Sequence, residues 1–239
     1  MYSLRRSTKL LCSALLLLAS NKCVASTGQA SQPLIHVYQS PAPGPVNTYW
    51  VEGPKGIVVL DTQRSLARAR EALTRIQSSR KPVVAILISH PHDDHYGGLS
   101  VFASAYPNAP IFASKATADA IRSDPGGFFR MTKQRLGKDS PDRPTLPTRT
   151  IHDGETLHLA GLDLETQEFG VGEASSETVF YIRSLGALFV GDTIMDHVIP
   201  FIHEHSAEWL AQIIVCPTTI RRRVPCTPAM GMLDRHLPY

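Results

Sequence analysis

The reading of this chain turns on Val83-Val84-Ala85-Ile86-Leu87-Ile88-Ser89-His90-Pro91-His92-Asp93-Asp94-His95-Tyr96-Gly97-Gly98. The first seven residues, opened by Pro82, form a short apolar run of the kind that makes a buried strand. That strand runs straight into three imidazoles and two carboxylates. Buried without partners, each of these groups carries a heavy desolvation penalty, so packing does not explain them. Neutral imidazole nitrogen and carboxylate oxygen are good ligands for zinc and similar divalent ions. His90 and His92 sit two apart in an extended segment, so both side chains point to one side and can share an ion. Asp94 and His95 come where the chain turns into a helix, within reach of a second ion, and Gly97-Gly98 permits a tight exit. A solvated polar loop would not need the buried strand in front of it.

Outward from this stretch, strands and helices alternate. Leu34–Gln39 and 46–52 alternate in strand fashion around a Pro-Ala-Pro-Gly-Pro turn, and 56–61 (GIVVLD) is another short apolar run. Residues 64–79 place Leu66, Ala69, Leu73 and Ile76 on one face of an amphipathic helix. A helix over 99–106, a strand over 111–113 and a helix over 115–123 follow. Residues 124–149, rich in Pro, Gly and charge, are expected to form an excursion over one edge. From Thr150 the pattern turns to hairpins, signalled by Asp153-Gly154 and Ala160-Gly161, with two further strands over 179–182 and 187–190. Sheet, helices and sheet again predict an α+β fold of two sheets packed face to face with helices outside.

His-x-His-x-Asp-His after a buried strand, with Gly-Gly beyond, resembles the metallo-β-lactamase superfamily, and the resemblance extends from about residue 34 to 213. GIVVLDTQ matches the family's early strand ending in Asp61, and ALFVGDTI its later strand ending in Asp192. The resemblance implies an αββα sandwich of two mixed sheets with a di-zinc site at one edge. It implies that His90 and His92 bind one metal, that Asp94 and His95 bind the other, and that Asp192 bridges them. Asp61 is then a residue that orients ligating histidines. The implied activity is hydrolysis by a metal-bound hydroxide of an ester, thioester, lactone, β-lactam or sulfate ester. Asp94 serves both as ligand and as proton acceptor from the attacking water. Asp192 stands where many true lactamases have cysteine or serine, which turns the reading away from β-lactams.

Two positions depart from the family pattern. The glycine-rich turn between the hairpins reads Phe169-Gly170-Val171-Gly172-Glu173-Ala174-Ser175-Ser176-Glu177-Thr178, with Glu173 in the place of the usual histidine. The turn resembles that of the alkylsulfatase branch, where glutamate serves as a ligand, so Glu173 is the expected metal ligand here. The final Gly-His-Gly turn is missing, and His236 lies in Asp-Arg-His-Leu instead. Residues 214–239 show neither strand nor helix period and hold Cys216, Cys226, three successive arginines and four prolines. A one-base loss at the codon for Ile214 accounts for them, because the restored frame admits a Gly-His-Gly turn. On this reading 214–239 is an irregular, frameshifted tail, the last strand and helix of the sandwich are missing, and the competing outcome is a catalytically impaired or inert metal-binding product.

The other end reads as a secretory signal over 1–25, with Arg5, Arg6 and Lys9 ahead of an apolar run from Leu10 to Ala19. A periplasmic or secreted domain over 26–213, with no stable membrane anchor after signal removal, follows from it. The 239 residues are 43% hydrophobic and 19% charged, which excludes a disordered or collagen-like polymer. The net charge of +3 resides in the two ends: residues 26–213 carry 16 basic and 20 acidic side chains and no cysteine. An acidic, exported body without a basic aromatic surface argues for a small-molecule substrate and against nucleic acid. Nothing in the sequence sets the oligomeric state. His36, His152, His158, His197, His203 and His205 read as surface residues, and Trp50 and Phe128-Phe129 as core.

Overall fold

The computed structural model describes residues 32–42, 44–194 and 205–223. The signal segment, His197, His203 and residues 224–239 with His236 lie outside the described residues.

The first sheet holds six strands in sequence order: β1 Leu34–Gln39, β2 Asn47–Gly53, β3 Gly56–Leu60, β4 Val83–Leu87, β5 Ile111–Ser114 and β6 Arg149–Ile151. β1, β2 and β3 pair antiparallel, whereas β3 to β6 run parallel and need crossovers. The crossovers are α1 Leu66–Gln77, then α2 Asp93–Tyr96 with α3 Leu99–Ala105, and then α4 Lys115–Ser123 with α5 Phe128–Leu136. The second sheet is antiparallel throughout, with β7 Thr156–Leu159, β8 Leu162–Gly170, β9 Glu177–Ile182 and β10 Ala187–Phe189 in the order β10-β9-β8-β7. A last helix, α6, spans Ser206–Arg223.

The two-residue period of β3 divides the core. Ile57 and Val59 pack with Ala69, Ala72 and Ile76 of α1 and Leu99 and Phe102 of α3. Val58 and Leu60 face the other way, onto Leu162, Leu164, Phe180 and Ile182 of the second sheet. A strand with both faces covered reads as an unbroken apolar run, which is why β3 and β4 stand out in the sequence.

Three stretches differ from expectation. The excursion over 124–149 contains α5, whose start is capped at a distance: the Asp124 carboxylate accepts from the backbone N–H groups of Phe129 and Arg130 at 3.1 and 3.3 Å. Gly126 and Gly127 disguise that start as a plain loop. Residues 149–151 add a parallel edge strand to the first sheet rather than opening the hairpins, because Ile151 buries in the core between the sheets. The backbone of 214–223, where an irregular tail was expected, continues α6. Trp209 and Gln212, three residues apart and both buried, anchor that helix just before the stretch begins.

Candidate metal centre

β4 ends at Leu87, and the chain leaves the sheet through Ser89, His90 and Pro91 before α2 begins at Asp93. This short path puts all three histidine rings together. His90 and His92 have ring centroids 5.0 Å apart, and His90 and His95 4.0 Å. Two further segments close on them. The β8–β9 turn brings Glu173, and the turn after β10 brings Asp192.

The donors fall into two trios, His90 with His92 and Glu173, and Asp94 with His95 and Asp192; within each trio all ligand atoms lie within 4.8 Å of one another. His92 Nδ1 is 3.2 Å and His90 Nε2 3.9 Å from Glu173 Oε2. His95 Nε2 is 3.3 Å from Asp192 Oδ1 and 4.0 Å from Asp94 Oδ2. All six residues singled out in the sequence are therefore brought to one place.

A buried serine, unremarked in the sequence, and Asp61 together fix which nitrogen His90 and His95 offer. Asp61 Oδ1 accepts from Ser89 N at 2.9 Å, and Asp61 Oδ2 accepts from Ser89 Oγ at 2.7 Å and from His95 Nδ1 at 2.8 Å. With its proton given to Asp61, Ser89 Oγ accepts from His90 Nδ1 at 2.9 Å. Nε2 of both His90 and His95 is thereby turned toward the carboxylates, with the Nδ1 side spoken for, as second-layer hydrogen bonds do in metal sites. Asp61 also groups spatially with His90 and His95, but its oxygens are engaged by these donors. It orients rings rather than adding a seventh donor.

The trios fit a divalent cation on their own chemistry. His90 Nε2 is buried without a hydrogen-bond partner; Glu173 Oε2, buried beside it, has only His92 Nδ1 at 3.2 Å, and 3.9 Å is too long for it to serve His90. A buried polar atom left so is costly, and a cation shared by His90 Nε2 and the Glu173 carboxylate removes that cost. Without a cation, charge falls differently on the two trios. Burial, with the charge on His95 beside it, pushes the His90 imidazole well below its usual range, so it is neutral and its lone pair is available. Burial works against a charge on His95 as well, but Asp192, Asp61 and Asp94 outweigh it and hold that imidazolium well above the usual range. Burial would raise the Asp192 carboxyl, yet the His95 charge and hydrogen bond hold it well below the usual carboxylate range.

The turn carrying Asp192 is held from several sides. Gly191 has φ +53°, and a Cβ there would lie 3.0 Å from Ser89 Oγ and 3.2 Å from His90 Nδ1, so only glycine lets the turn approach. Thr193 Oγ1 donates to Glu177 Oε2 at 2.7 Å, and Trp209 Nε1 donates to the Thr193 carbonyl at 2.9 Å. Burial, with the Glu173 and Asp192 charges nearby, raises the Glu177 carboxyl well above its usual range.

Phe128, expected in the core, is half-buried and edge-on to His92 with centroids 5.2 Å apart, while Phe129 and Trp50 do bury. His158 and His152 are exposed on the hairpin, as expected, and His205 is exposed. Ser89, Arg64 and Glu177 were missed. A polar residue closing an otherwise apolar strand was the available signal for Ser89.

Two packed sheets with a six-donor centre at the strand ends define a fold built to present metal ligands. A family model described as the metallo-beta-lactamase superfamily matches residues 41–221, and the chain belongs to that superfamily. The lactamase-like protein adaB of Aspergillus niger is 28% identical over 63% of this chain and 39% of its own length. A linear primary-alkylsulfatase of Pseudomonas sp. is 36% identical over 64% of this chain and 34% of its own length. The chain thus spans little more than a third of the length of these curated relatives. A metallo-beta-lactamase from Pontibacter korlensis shares the fold with a TM-score of 0.63 at 21% identity, over 81% of this chain and 84% of that one.

Proposed function

We propose that the protein is an exported hydrolase that depends on two divalent cations, zinc by ligand preference, and that sulfate esters are the first substrate class to test. The observation that carries this reading is Glu173 completing the His90–His92 trio. A carboxylate there is the feature by which the turn resembles the alkylsulfatase branch, and an alkylsulfatase is among the relatives the chain matches.

His90, His92 and Glu173 would hold one cation, and Asp94, His95 and Asp192 the second. Bound cations supply Lewis acidity toward the scissile group and toward the water that attacks it. The residues of the chain do the rest. Asp61 and Ser89 keep His90 and His95 in the tautomer that presents Nε2. Asp94, partly open to solvent and held by Arg64 through Oδ2, is the carboxylate that would accept the proton of the attacking water. Phe128 lines the His92 side of the centre, an apolar wall suited to the hydrocarbon part of a substrate.

Metal analysis of the purified chain, with hydrolysis of an alkyl sulfate and a panel of chromogenic carboxylic esters, tests the proposal. Two equivalents of metal with alkyl sulfate turnover that is abolished by chelation support it. Two equivalents with turnover of carboxylic esters alone would leave the hydrolase and overturn the substrate class. One equivalent or none without turnover would establish the inert product.

A further inference from the structure

We infer that Arg64 is a positioning residue for the second cation position, holding Asp94 in the orientation that position needs; this rests on the two-cation reading above. The segment between β3 and α1 is an unusual piece of backbone. Asp61 and Gln63, neither of them glycine, both sit in the left-handed region at φ +58° and +74°. Residues hold such conformations only when their surroundings over-determine them, and here they do. The Asp61 carboxylate is fixed by Ser89 and His95, and Gln63 Nε2 donates to the Val46 carbonyl at 2.9 Å and to Thr48 Oγ1 at 3.0 Å.

The backbone of the same segment is clamped to the α2 turn. Thr62 N donates to the His95 carbonyl at 2.7 Å, and Gly98 N donates to the Gln63 carbonyl at 2.7 Å. A Cβ at Gly97 would lie 2.2 Å from the Arg64 carbonyl, and one at Gly98 2.2 Å from that of Thr62. The strained segment and the helical turn bearing Asp94 and His95 therefore form one rigid unit. At the end of that unit the Arg64 guanidinium reaches back over the turn. Its terminal nitrogen donates to Asp94 Oδ2 at 2.7 Å, and Nε stands 3.8 Å from Asp93 Oδ2. Asp61 thus positions the histidine of the second trio and Arg64 its aspartate, from three residues apart on one segment. The trio's third donor, Asp192, is held independently through Thr193.

A role in positioning separates the two cations, because among the described residues Arg64 hydrogen-bonds or ion-pairs with Asp94 and Asp93 and with no member of the His90–His92–Glu173 trio. The test is a titration of the full chain, stripped of metal, with Zn2+ against a chromophoric chelator and with Co2+ followed by its visible absorption. Wild type takes up two equivalents. Arg64→Met, similar in reach but uncharged, keeps the first at wild-type affinity and binds the second about 10–100-fold more weakly, the usual effect of losing an outer hydrogen bond to a ligand. Arg64→Lys restores part of that loss, since an ammonium can contact Asp94 without the guanidinium fork. Melting curves of the metal-free variants control for folding, and the lysine variant carries the test if the methionine variant does not fold. Unchanged second-site affinity in Arg64→Met, or equal weakening of both sites, overturns the role. A wild-type chain that binds fewer than two equivalents overturns the two-cation reading and this role with it.

Discussion

Glu173 stands between His90 and His92 with one carboxylate oxygen buried 3.2 Å from His92 Nδ1 and 3.9 Å from His90 Nε2, and its removal is a clean question about the first trio. Glu173→Ala is expected to lower bound zinc by about one equivalent, read by metal analysis after dialysis; unchanged zinc would remove Glu173 from the centre. Asp61→Asn should act differently. It retains size but exchanges an acceptor for a donor opposite Ser89 and His95, so both rings lose their tautomer. Metal affinity or turnover should fall about 10–100-fold. The pH behaviour of the metal-free chain follows from His95. Its folded pKa lies above the unfolded value near 6.5, so the folded state holds the extra proton. The stability this gives is fully present below about pH 6.5 and is lost as pH rises through the folded pKa. Thermal melts of chelator-treated protein should show that alkaline decline, and Asp192→Asn should flatten it. At this scale the sequence was informative where chemistry was contiguous. His90 to His95 declare themselves because five of six residues are histidine or aspartate, directly behind an apolar strand. Arg64 and Ser89 did not, because their meaning depends on a carboxylate 28 to 30 residues away that only folding brings beside them.

The element that matters most for the site is the short α2 turn, and its tolerance is set by backbone rather than by side chains. Gly97 has an ordinary helical φ of −56°, so its necessity is one of space: a Cβ would meet the carbonyls of Arg64 and Asp93 at 2.2 and 2.6 Å. Gly97→Ala should cost about 1–3 kcal/mol of stability by overpacking, measured by urea unfolding, and should loosen the second metal more than the first. The paired glycines were legible as a tight exit, but not the surface they press against. The parallel strands β3 and β4 were legible for a simple reason, since burial on both faces leaves no polar position to blur them. α5 was not, because its cap is supplied by Asp124 from before a Pro-Gly-Gly stretch that by itself reads as loop. With α5 went the placement of Phe128, a residue whose aromatic character said core and whose position says site rim.

The molecule as a whole is held by the apolar layer between its sheets, and the metal centre sits where the two sheets supply different ligands. The first sheet gives the histidines and Asp94, and the second gives Glu173 and Asp192. Weakening the layer should therefore weaken the centre. Phe180 is buried among Val58, Leu60, Leu164 and their neighbours, and Phe180→Ala is expected to cost about 3–5 kcal/mol. Added zinc should recover part of that loss in melting temperature, because a ligand that binds only the folded state stabilises it by mass action. Equal melting with and without zinc would separate the two. The chain has two tryptophans, and they sit in very different company. Trp50 is stacked on His36 in the first sheet, while the indole N–H of Trp209 is bonded to the carbonyl of Thr193, next to Asp192. An indole so placed is a natural optical reporter: cation arrival at Asp192 should change the emission of Trp209, giving this chain a label-free fluorescence signal for its second metal.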